Sequence, residues 1–505
     1  MNVYYLFILN IFISFLSATN YYVATSYGND NNNGTSINTP FKTIAKAASV
    51  MSSGDICYIR QGRYHETVTI DNLDGASGSA IIFTNYNNER VIMDGTIPIT
   101  SAWTQVGSSN IWRTKLSSDI WQLFLDWEEQ VMARWPNAKF SDNTIWDNDN
   151  YWAKGTIDDN ENAYSNGTII DDPYTNSAGT SIDLNAKSFD LDESNKQAIA
   201  ILNLGSFRTW SRLVTSHSGN TFNYATVPNW KTKHHYYFLE GRREFLDQAG
   251  EWWYDTYNNA DSLYYYANNG VDPNKLNFRG KVQSYSFSIT GSEYVQIKNL
   301  EFFGTTVYFS NGDNCVVYGC NFMYPSCSKR MLRTVDTEPE MTKFASGSTG
   351  SAVRNCAFRN TDGTALEMWG GTDTVDNCYF TNIDYSVADN SSIMLTMRMN
   401  GTANVFRKNT VHRTGASATV MVGDAGLVEY NNLYDTGHLQ SDGSMIQFME
   451  GQQDGAICRY NWLHDTEKYG ARFDHSGTAD GTNGIMHHNL AWNCESGGIM
   501  VKGDN

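Results

Sequence analysis

The sequence predicts an all-β fold, a parallel β-helix, and the first of three supporting observations is an internal repeat. Eight short runs in the C-terminal part begin with Asn and carry a bulky apolar residue two or three positions later. The shortest interval between successive runs occurs three times, and the other intervals are longer by varying amounts. A constant minimum with variable additions indicates a solenoid whose loops vary on one side. The runs begin at Asn299, Asn321, Asn355, Asn377, Asn409, Asn431, Asn461 and Asn489.

The length of the repeat is the second observation. The shortest interval, for example from Asn299 to Asn321, is too short for a helical-hairpin repeat, which takes about 33 residues or more. It suits three short strands and three turns, which is one coil of a parallel β-helix with a rise of about 4.8 Å. Side-chain amides in stacked coils can bond to the coils above and below, so we expect all eight asparagines to lie in one turn. A leucine-rich repeat has a similar period, but the dense leucine frame that it requires is missing here.

Composition is the third observation. The chain has 41 Gly, only 8 Pro and 18% charged residues, which is typical of a turn-rich β protein. Its net charge of −18 creates a field that repels nucleic acid, so we expect no nucleic-acid partner. Eight cysteines are too few for a disulfide scaffold. We expect Cys356 and Cys378 to stack in neighbouring coils as buried thiols, with a disulfide as the alternative.

The N-terminal residues suggest export followed by a cap. Residues 1–18 form a short apolar stretch that ends in small residues, which predicts a signal peptide cleaved near Ala18; a membrane anchor is the alternative. After cleavage we expect no membrane contact. Residues 19–99 then predict a strand, a helix and the first coils. Apolar residues at helical spacing predict that the helix covers the open end of the solenoid. They are Phe41, Ile44, Ala48 and Met51.

The repeat disappears between residues 100 and 277, which we interpret as an inserted β domain. This stretch holds 11 of the 14 tryptophans. They predict either a core with a seam against the solenoid or a platform for sugar rings. We expect the insertion to pack over the groove side of the first coils. Residues 278–505 resume the β-helix, and we expect a further coil or cap to follow residue 505, because an open end exposes strand edges.

Two pairs of segments resemble a known group of proteins. Residues 21–47, which end in KTIAKA, and the following segment GDICYIRQGRYHETVTI resemble the N-terminal part of secreted right-handed β-helix proteins of the pectate-lyase-like superfold. The run QLFLDWEEQVMARWPN and the later FLEGRREFLDQAGEWWYD resemble carbohydrate-active members in which a β domain interrupts the helix, as in β-helical xylosidases and fucosidases. The resemblance implies a right-handed β-helix and action on carbohydrate. A fold alone assigns no chemistry.

Candidate site residues follow from the strands that come after a turn glycine. One outward face of a β-helix lines a groove, where equivalent residues of adjacent coils lie about 5 Å apart. In four of these strands, the residue four positions after the turn glycine is polar or charged. If the strands are aligned on their glycines, these four residues form a polar ladder on that face. Arg472 precedes its ladder residue by two positions and therefore lies on the same face. Asp442 and Glu450 flank the strand that contains Gln447. The ladder residues are Glu367, Gln447, Asp474 and Lys502.

Together with the apolar N-terminus and the resemblance, which implies action on carbohydrate, these residues predict a secreted enzyme that hydrolyses glycosidic bonds of a plant or algal type of polysaccharide. Hydrolysis requires two carboxyl groups about 5 to 9 Å apart, and Asp442 and Asp474 are our catalytic candidates. A neighbouring Arg would keep one of them ionised. Arg472, Gln447, Lys502 and Glu450 are expected to bind substrate. Glu367, roughly 19 Å from Asp474 by strand spacing, is expected to be a more distant substrate contact.

Two other function classes stay open. A polysaccharide lyase or uronate epimerase would use a base such as Arg472 or Lys502, together with a cation that neutralises the uronate. Ca²⁺ is expected only in that case, because no metal-ligand spacing stands out and hydrolysis requires no cofactor. A non-catalytic glycan-binding or adhesion protein is the other alternative. In each case the expected partner is a polysaccharide or oligosaccharide.

Overall fold

The chain folds into a right-handed parallel β-helix interrupted by a β-rich insertion, which confirms the predicted fold class. The computed structural model describes residues 18–155, 167–205, 207–227, 236–257, 261–390, 395–449, 451–475 and 483–502. Within these ranges the β-helix has three long parallel sheets, which we name A, B and C in the order in which each coil visits them. No helix in the described ranges is long and apolar enough to cross a membrane.

Each coil contributes one short strand to each sheet. Sheet A contains Asn20–Val23, Ile56–Ile59, Ile81–Asn85, Val295–Lys298, Val316–Tyr318, Ala352–Arg354, Thr374–Asp376, Val405–Arg407, Leu427–Glu429, Ile457–Arg459 and Ile485–His487. Sheet B contains Gly62–Tyr64, Val91–Asp94, Glu301–Phe303, Asn321–Met323, Ala357–Arg359, Tyr379–Ile383, Thr410–Thr414, Asn432–Thr436, Trp462–Thr466 and Leu490–Cys494. Sheet C contains Val68–Asp71, Tyr285–Thr290, Thr306–Ser310, Thr342–Phe344, Leu366–Met368, Leu395–Met399, Ala418–Met421, Ser444–Phe448, Tyr469–Phe473 and Gly497–Val501.

The core of the β-helix is built from inward side chains that repeat in register. One column on sheet B stacks aromatic rings with centroids 4.5, 4.7 and 5.0 Å apart, close to the spacing between strands. Strand residues alternate between this dry interior and the outer face, which is why each strand reads as an apolar residue flanked by polar ones. The column consists of Phe302, Phe322, Phe358 and Phe380.

Seven of the eight repeat asparagines lie in the turn between sheets A and B, as expected, where they occupy two columns; Asn321 instead lies within a strand of sheet B, so the prediction is wrong for that residue. Asn409, Asn431, Asn461 and Asn489 do form a ladder in this turn, in which each Oδ1 accepts a backbone N–H from the preceding coil. The same place in an earlier coil holds a buried cysteine: Cys378 N–H donates to Asn409 Oδ1 at 2.8 Å. Cys356 and Cys378 are both free thiols, as predicted.

The other four repeat asparagines lie outside this ladder, and in three of them a left-handed backbone conformation explains why the residue is Asn. Asn299, Asn355 and Asn377 precede the ladder position and have φ between 54° and 55°. Asn tolerates this left-handed conformation better than most residues. Asn321 lies in a strand of sheet B, level with Glu301. The repeated Asn in the sequence therefore has two different structural roles: in some coils it adopts a left-handed turn conformation, and in others its buried side-chain amide bonds to the neighbouring coil.

A short helix closes the first coil. It spans Ile44–Ala48, and the Thr43 hydroxyl accepts a hydrogen bond from the N–H of Lys46 at 3.1 Å, which caps its N-terminus. All four apolar residues expected to face the first coil are 8% exposed or less, so the predicted cap covers the core. These residues are Phe41, Ile44, Ala48 and Met51.

The insertion interrupts one coil, between its sheet-B strand Val91–Asp94 and its sheet-C strand Tyr285–Thr290. The strand Ile81–Asn85 pairs directly with Val295–Lys298, although the whole insertion lies between them in the chain. The insertion and its base contain the strands Thr96–Pro98, Thr104–Gln105, Ile111–Lys115, Leu123–Leu125, Glu128–Glu129, Val131–Met132, Arg134–Trp135, Ala153–Lys154, Thr168–Ile170, Tyr174–Thr175, Ser181–Ile182, Ile199–Gly205, Arg208–Ser218, Thr221–Tyr224, Tyr236–Glu240, Glu251–Asp255, Ser262–Tyr266 and Phe278–Lys281. Other helical turns are Thr144–Trp146, Asn148–Tyr151, Arg243–Phe245, Pro273–Lys275 and Arg330–Leu332.

The insertion packs over sheet B and over the turns that lead from sheet B to sheet C. Phe124 contacts Phe303 on an early coil, as expected, but the seam continues to Leu439, whose carbonyl accepts a hydrogen bond of 2.7 Å from Asn203. It therefore extends beyond the first coils to the late coil that contains Asn432–Thr436, and it covers a different face from the predicted sheet-C groove.

Most tryptophans of the insertion are buried at 7% exposure or less, in its core or at the seam. Trp127 is 39% exposed, and Trp230 lies outside the described residues.

Candidate active site

The structure brings five of the seven predicted site residues together on the outer face of sheet C. Arg472 is the centre of this group: its guanidinium lies 2.7 Å from Asp442 Oδ1 and 2.7 Å from Asp474 Oδ1. Gln447 Nε2 donates to Asp474 Oδ2 at 3.0 Å, and Lys502 Nζ lies 3.3 Å from Asp474 Oδ1. We call these five residues the sheet-C cluster.

The register of the cluster differs from the predicted ladder. Gln447 pairs with Arg472 across the strands, and Arg472 pairs with Met500. Asp474 and Lys502 are level with each other, as predicted, but they lie two positions further along than Gln447, so the ladder aligned on glycines was wrong by that offset between Gln447 and Asp474. The contact between Gln447 and Asp474 survives because it runs diagonally between neighbouring strands.

The cluster is held by its own ion pairs. Burial alone would lower the pKa of Arg472, but its hydrogen bonds to Asp474 and Asp442 outweigh burial and raise it. Both oxygens of Asp474 are occupied by a guanidinium, an ammonium and an amide. A carboxylate engaged in this way can attack a sugar or accept a proton only after a partner moves away.

The two other predicted contacts lie apart from the cluster. Glu367 is on the same face but is 1% exposed, and its Oε2 is contacted by Lys343 Nζ at 2.8 Å and Trp369 Nε1 at 2.7 Å. A sugar would have to displace these groups to reach it. Glu450 lies outside the described residues.

A separate cavity of about 540 Å³ lies between the insertion and the turns that leave sheet B, and we call it the seam cavity. On the β-helix side, Tyr324, Asn360 and Asn382 take the same place in three successive coils, each with φ between 56° and 59°. The left-handed turn points them out of the strand plane toward the insertion. On the other side the hairpin strand Glu128–Glu129 supplies two carboxyl groups. Further lining residues are Lys139, Phe140, Trp146, Glu251 and Tyr385.

Glu129 has the environment of a proton donor. Its Oε1 accepts hydrogen bonds from Gln122 Nε2 and from the Tyr385 hydroxyl, both at 2.7 Å. Burial raises the pKa of the Glu129 carboxyl to about 8, although these two hydrogen bonds act in the opposite direction. A carboxyl group with this pKa carries its proton at neutral pH.

The two other carboxyl groups of the cavity differ from each other. Glu251 is 2% exposed, its Oε2 accepts the N–H groups of Asp247 and Gln248, and burial raises its pKa to about 8. Glu128 is exposed, and its Oε2 accepts a hydrogen bond of 3.3 Å from Tyr324. An exposed carboxyl group, Glu128, and a protonated one, Glu129, therefore line the same cavity.

A buried ion network behind the cavity fixes the seam. Arg330 is 1% exposed and contacts Glu240 of the insertion at 3.0 Å and Asp362 of the β-helix at 3.1 Å. The Arg330 guanidinium lowers the pKa of Asp362 against the effect of burial, so the aspartate stays ionised. Its negative charge in turn contributes to the raised pKa of Glu129.

Glu129 is not among the site residues that the sequence predicts. It lies in the segment QLFLDWEEQVMARWPN, which is informative only through its resemblance, and its partner Tyr385 is distant in the chain. One feature of the sequence does indicate an unusual carboxyl group at this place. Two adjacent glutamates lie between apolar strands, and the first basic residue that follows them is Arg134.

Comparisons with known proteins agree on the fold. Residues 344–505 match the family model of the right handed beta helix region. YwoF, an uncharacterised protein of Bacillus subtilis (strain 168), is 39% identical over 75 residues, which are 15% of this chain and 16% of that protein. A solved structure described as a glycoside hydrolase covers 96% of both chains with a TM-score of 0.68 and 13% identity. The complex of XylC with xylose covers 90% of this chain and 68% of that chain, with a TM-score of 0.45 and 14% identity.

Proposed function

We propose that the protein is a glycoside hydrolase that acts on a polysaccharide, with its active site in the seam cavity. Glu129 is the general acid, and Glu128 is the second carboxyl group of the pair. The observation that carries the proposal is a carboxyl group, Glu129, that lines the cavity, is held by Gln122 and Tyr385 and has a pKa raised by burial. Glycosidic bond cleavage requires an acid that still holds its proton at the working pH. The sheet-C cluster, built from mutual ion pairs, is a less suitable site, and the pair Asp442 and Asp474 stays a prediction.

The proposed reaction begins with proton transfer. Glu129 gives its proton to the oxygen of the glycosidic bond as that bond breaks, and the sugar develops positive charge at its anomeric carbon. Glu128 stabilises this charge, either by activating a water molecule or by attacking the carbon directly. Tyr385 keeps the Glu129 carboxyl in one orientation through its 2.7 Å hydrogen bond. Aromatic side chains of Phe140 and Trp146 offer apolar surface to the sugar ring.

The reaction class is tested with neutral and anionic polysaccharides offered to the full chain. We expect new reducing ends without the ultraviolet absorbance of an unsaturated uronate product, and we expect Glu129→Gln to abolish them. That absorbance, if it arose from an anionic polymer, would instead identify a lyase. Binding without any product would identify a non-catalytic glycan-binding protein. Either result would contradict the proposed hydrolysis.

We further propose that the enzyme works outside the cell. The apolar segment 1–18 supports this proposal, and residues 1–17 lie outside the described residues. N-terminal sequencing of protein recovered from the medium should begin close to Thr19. A mature chain that retains Met1 would contradict signal cleavage.

A further inference from the structure

A strained tryptophan marks a second cavity beside the first. Leu125 pairs with Glu128, so Asp126 and Trp127 form a two-residue hairpin loop, with φ of 48° and 74°. A loop with positive φ at both central residues strongly favours Gly at the second one. A bulky side chain there costs backbone energy that glycine avoids, and such strain is concentrated at functional sites.

The Trp127 ring is held rigidly in place. The guanidinium of Arg63 lies 3.9 Å from its ring centroid and that of Arg279 lies 5.0 Å away. Both cations are anchored by the buried Asp94, at 2.9 and 2.6 Å. Phe303 meets the ring edge to face with centroids 5.0 Å apart. An exposed aromatic ring fixed in this way loses little side-chain entropy when a ligand contacts it.

Trp127 lines a cavity of about 400 Å³ on the outer face of sheet B. The walls are mostly apolar, and the rim carries the ion pair Arg90–Glu301 at 2.8 Å. Apolar floors with a few polar groups at the edge are typical of small-ligand sites. This cavity lies next to the seam cavity, because consecutive residues line the two cavities on both walls. On the hairpin, Trp127 lines this cavity and Glu128 lines the seam cavity; on the β-helix, Met323 lines this cavity and Tyr324 lines the seam cavity.

We propose that this cavity, which we call the Trp127 subsite, binds a further sugar residue of the polysaccharide whose bond is cleaved in the seam cavity. The inference rests on the proposed function, since it takes the occupant to be the same glycan chain. A ligand that fills both cavities must continue along sheet B, so the substrate class is a polymer or long oligosaccharide. The paired cations of the subsite favour neutral sugars, because Arg63 and Arg90 already have carboxylate partners.

The test is gel retardation in the Glu129→Gln background, with arabinoxylan, mixed-linkage β-glucan and polygalacturonate as probes. Trp127→Gly should weaken retardation by a neutral polymer about ten-fold, which is typical of losing a central Trp at an interface. Its melting temperature should change little, because glycine suits the positive φ but the ring contacts with Arg63, Arg279 and Phe303 are lost. The matched control is Trp462→Ala, since Trp462 is 57% exposed on the same sheet, and it should leave retardation unchanged.

The outcomes separate the two proposals. Equal retardation of Trp127→Gly and its parent, or no retardation by any neutral polymer, would overturn the subsite. If Glu129→Gln still hydrolyses polysaccharide while retardation depends on Trp127, the subsite stands and the proposed catalytic role fails.

Discussion

The hydroxyl of Tyr385 donates a hydrogen bond of 2.7 Å to Oε1 of Glu129, so a coil of the β-helix and a hairpin of the insertion meet at one carboxyl group. Neither the β-helix nor the insertion contains all the residues of the proposed site. The β-helix supplies a rigid donor, and the insertion supplies the acid together with the walls that remove it from water. The raised pKa of Glu129 therefore depends on the assembled seam, which makes the seam the part of the molecule to test.

Tyr385→Phe removes one donor that favours the ionised form of Glu129. The pKa of Glu129 should rise further, because the hydrogen bond lowers it in the native protein. If Glu129 is the general acid, activity falls as pH rises through this pKa, and the alkaline limb of the pH–rate profile should move to higher pH. The matched control is Tyr430→Phe, because Tyr430 is 52% exposed and distant from the cavity. An unmoved alkaline limb would contradict the role of this contact.

Glu251 makes stability depend on pH. Its pKa is raised from 4.5 to about 8, so the folded state holds a proton that the unfolded state releases. This carboxyl group therefore does not oppose folding below pH 4.5, and it reduces the free energy of unfolding progressively from pH 4.5 to 8. The loss is on the order of 4 kcal/mol for a fully buried group. Glu251→Gln should remove much of this slope, as measured by urea denaturation across the neutral and mildly alkaline range.

Glu293→Gln is the control for that series. The Glu293 side chain is exposed and makes no ion pair among the described residues, so its replacement should leave the pH dependence unaltered. A Glu251→Gln variant with the same slope as the parent would show that Glu251 is ionised in the folded protein.

Arg330→Met tests the ion network at the seam. The substitution leaves Glu240 and Asp362 buried without their cation, which typically costs about 3 to 5 kcal/mol. Arg90→Met breaks a surface pair with a 72% exposed Arg and should cost less than about 1 kcal/mol. Equal losses in the free energy of unfolding for the two variants would contradict a structural role for the buried network.

The two kinds of repeat asparagine should respond in opposite ways to glycine. Asn431→Gly removes an amide that bonds to Asn461 Oδ1 and Phe406 O, and should cost about 2 kcal/mol or more. Asn377→Gly loses only an exposed hydrogen bond of 2.7 Å to Asn355 Oδ1, and glycine suits its φ of 55°, so this variant should be close to neutral or stabilising. Thermal unfolding of the two variants distinguishes the columns. Similar destabilisation by both would mean that a single kind of asparagine column exists.

The β-helix could be predicted because its evidence is local and repeated. The shortest interval, as from Asn355 to Asn377, follows from coil geometry, and the apolar residue after each Asn faces the core. The columns could not be separated, because Asn377 and Asn409 look alike in sequence although one is a left-handed residue and the other a buried amide. Only the pairing of Tyr379 with Thr410 fixes their relative positions.

The candidate site was predictable only where its residues lie in adjacent coils. Asp442, Gln447, Arg472 and Asp474 come from neighbouring strands, so their clustering could be foreseen, although the register was displaced by two positions. Glu129 and Tyr385 are far apart in the chain, and their contact depends on how the insertion docks. Repeat spacing carries no information about that docking.

The most direct measurement is the turnover rate of Glu129→Gln beside that of Asp474→Asn, each with its melting temperature at the same pH. We predict that Glu129→Gln lowers kcat by about 10² to 10⁴-fold, the usual contribution of a general acid, while its melting temperature is maintained. Asp474→Asn should retain turnover within a few-fold of the parent. Full activity in Glu129→Gln, with activity abolished in a folded Asp474→Asn, would contradict the account and place catalysis in the sheet-C cluster.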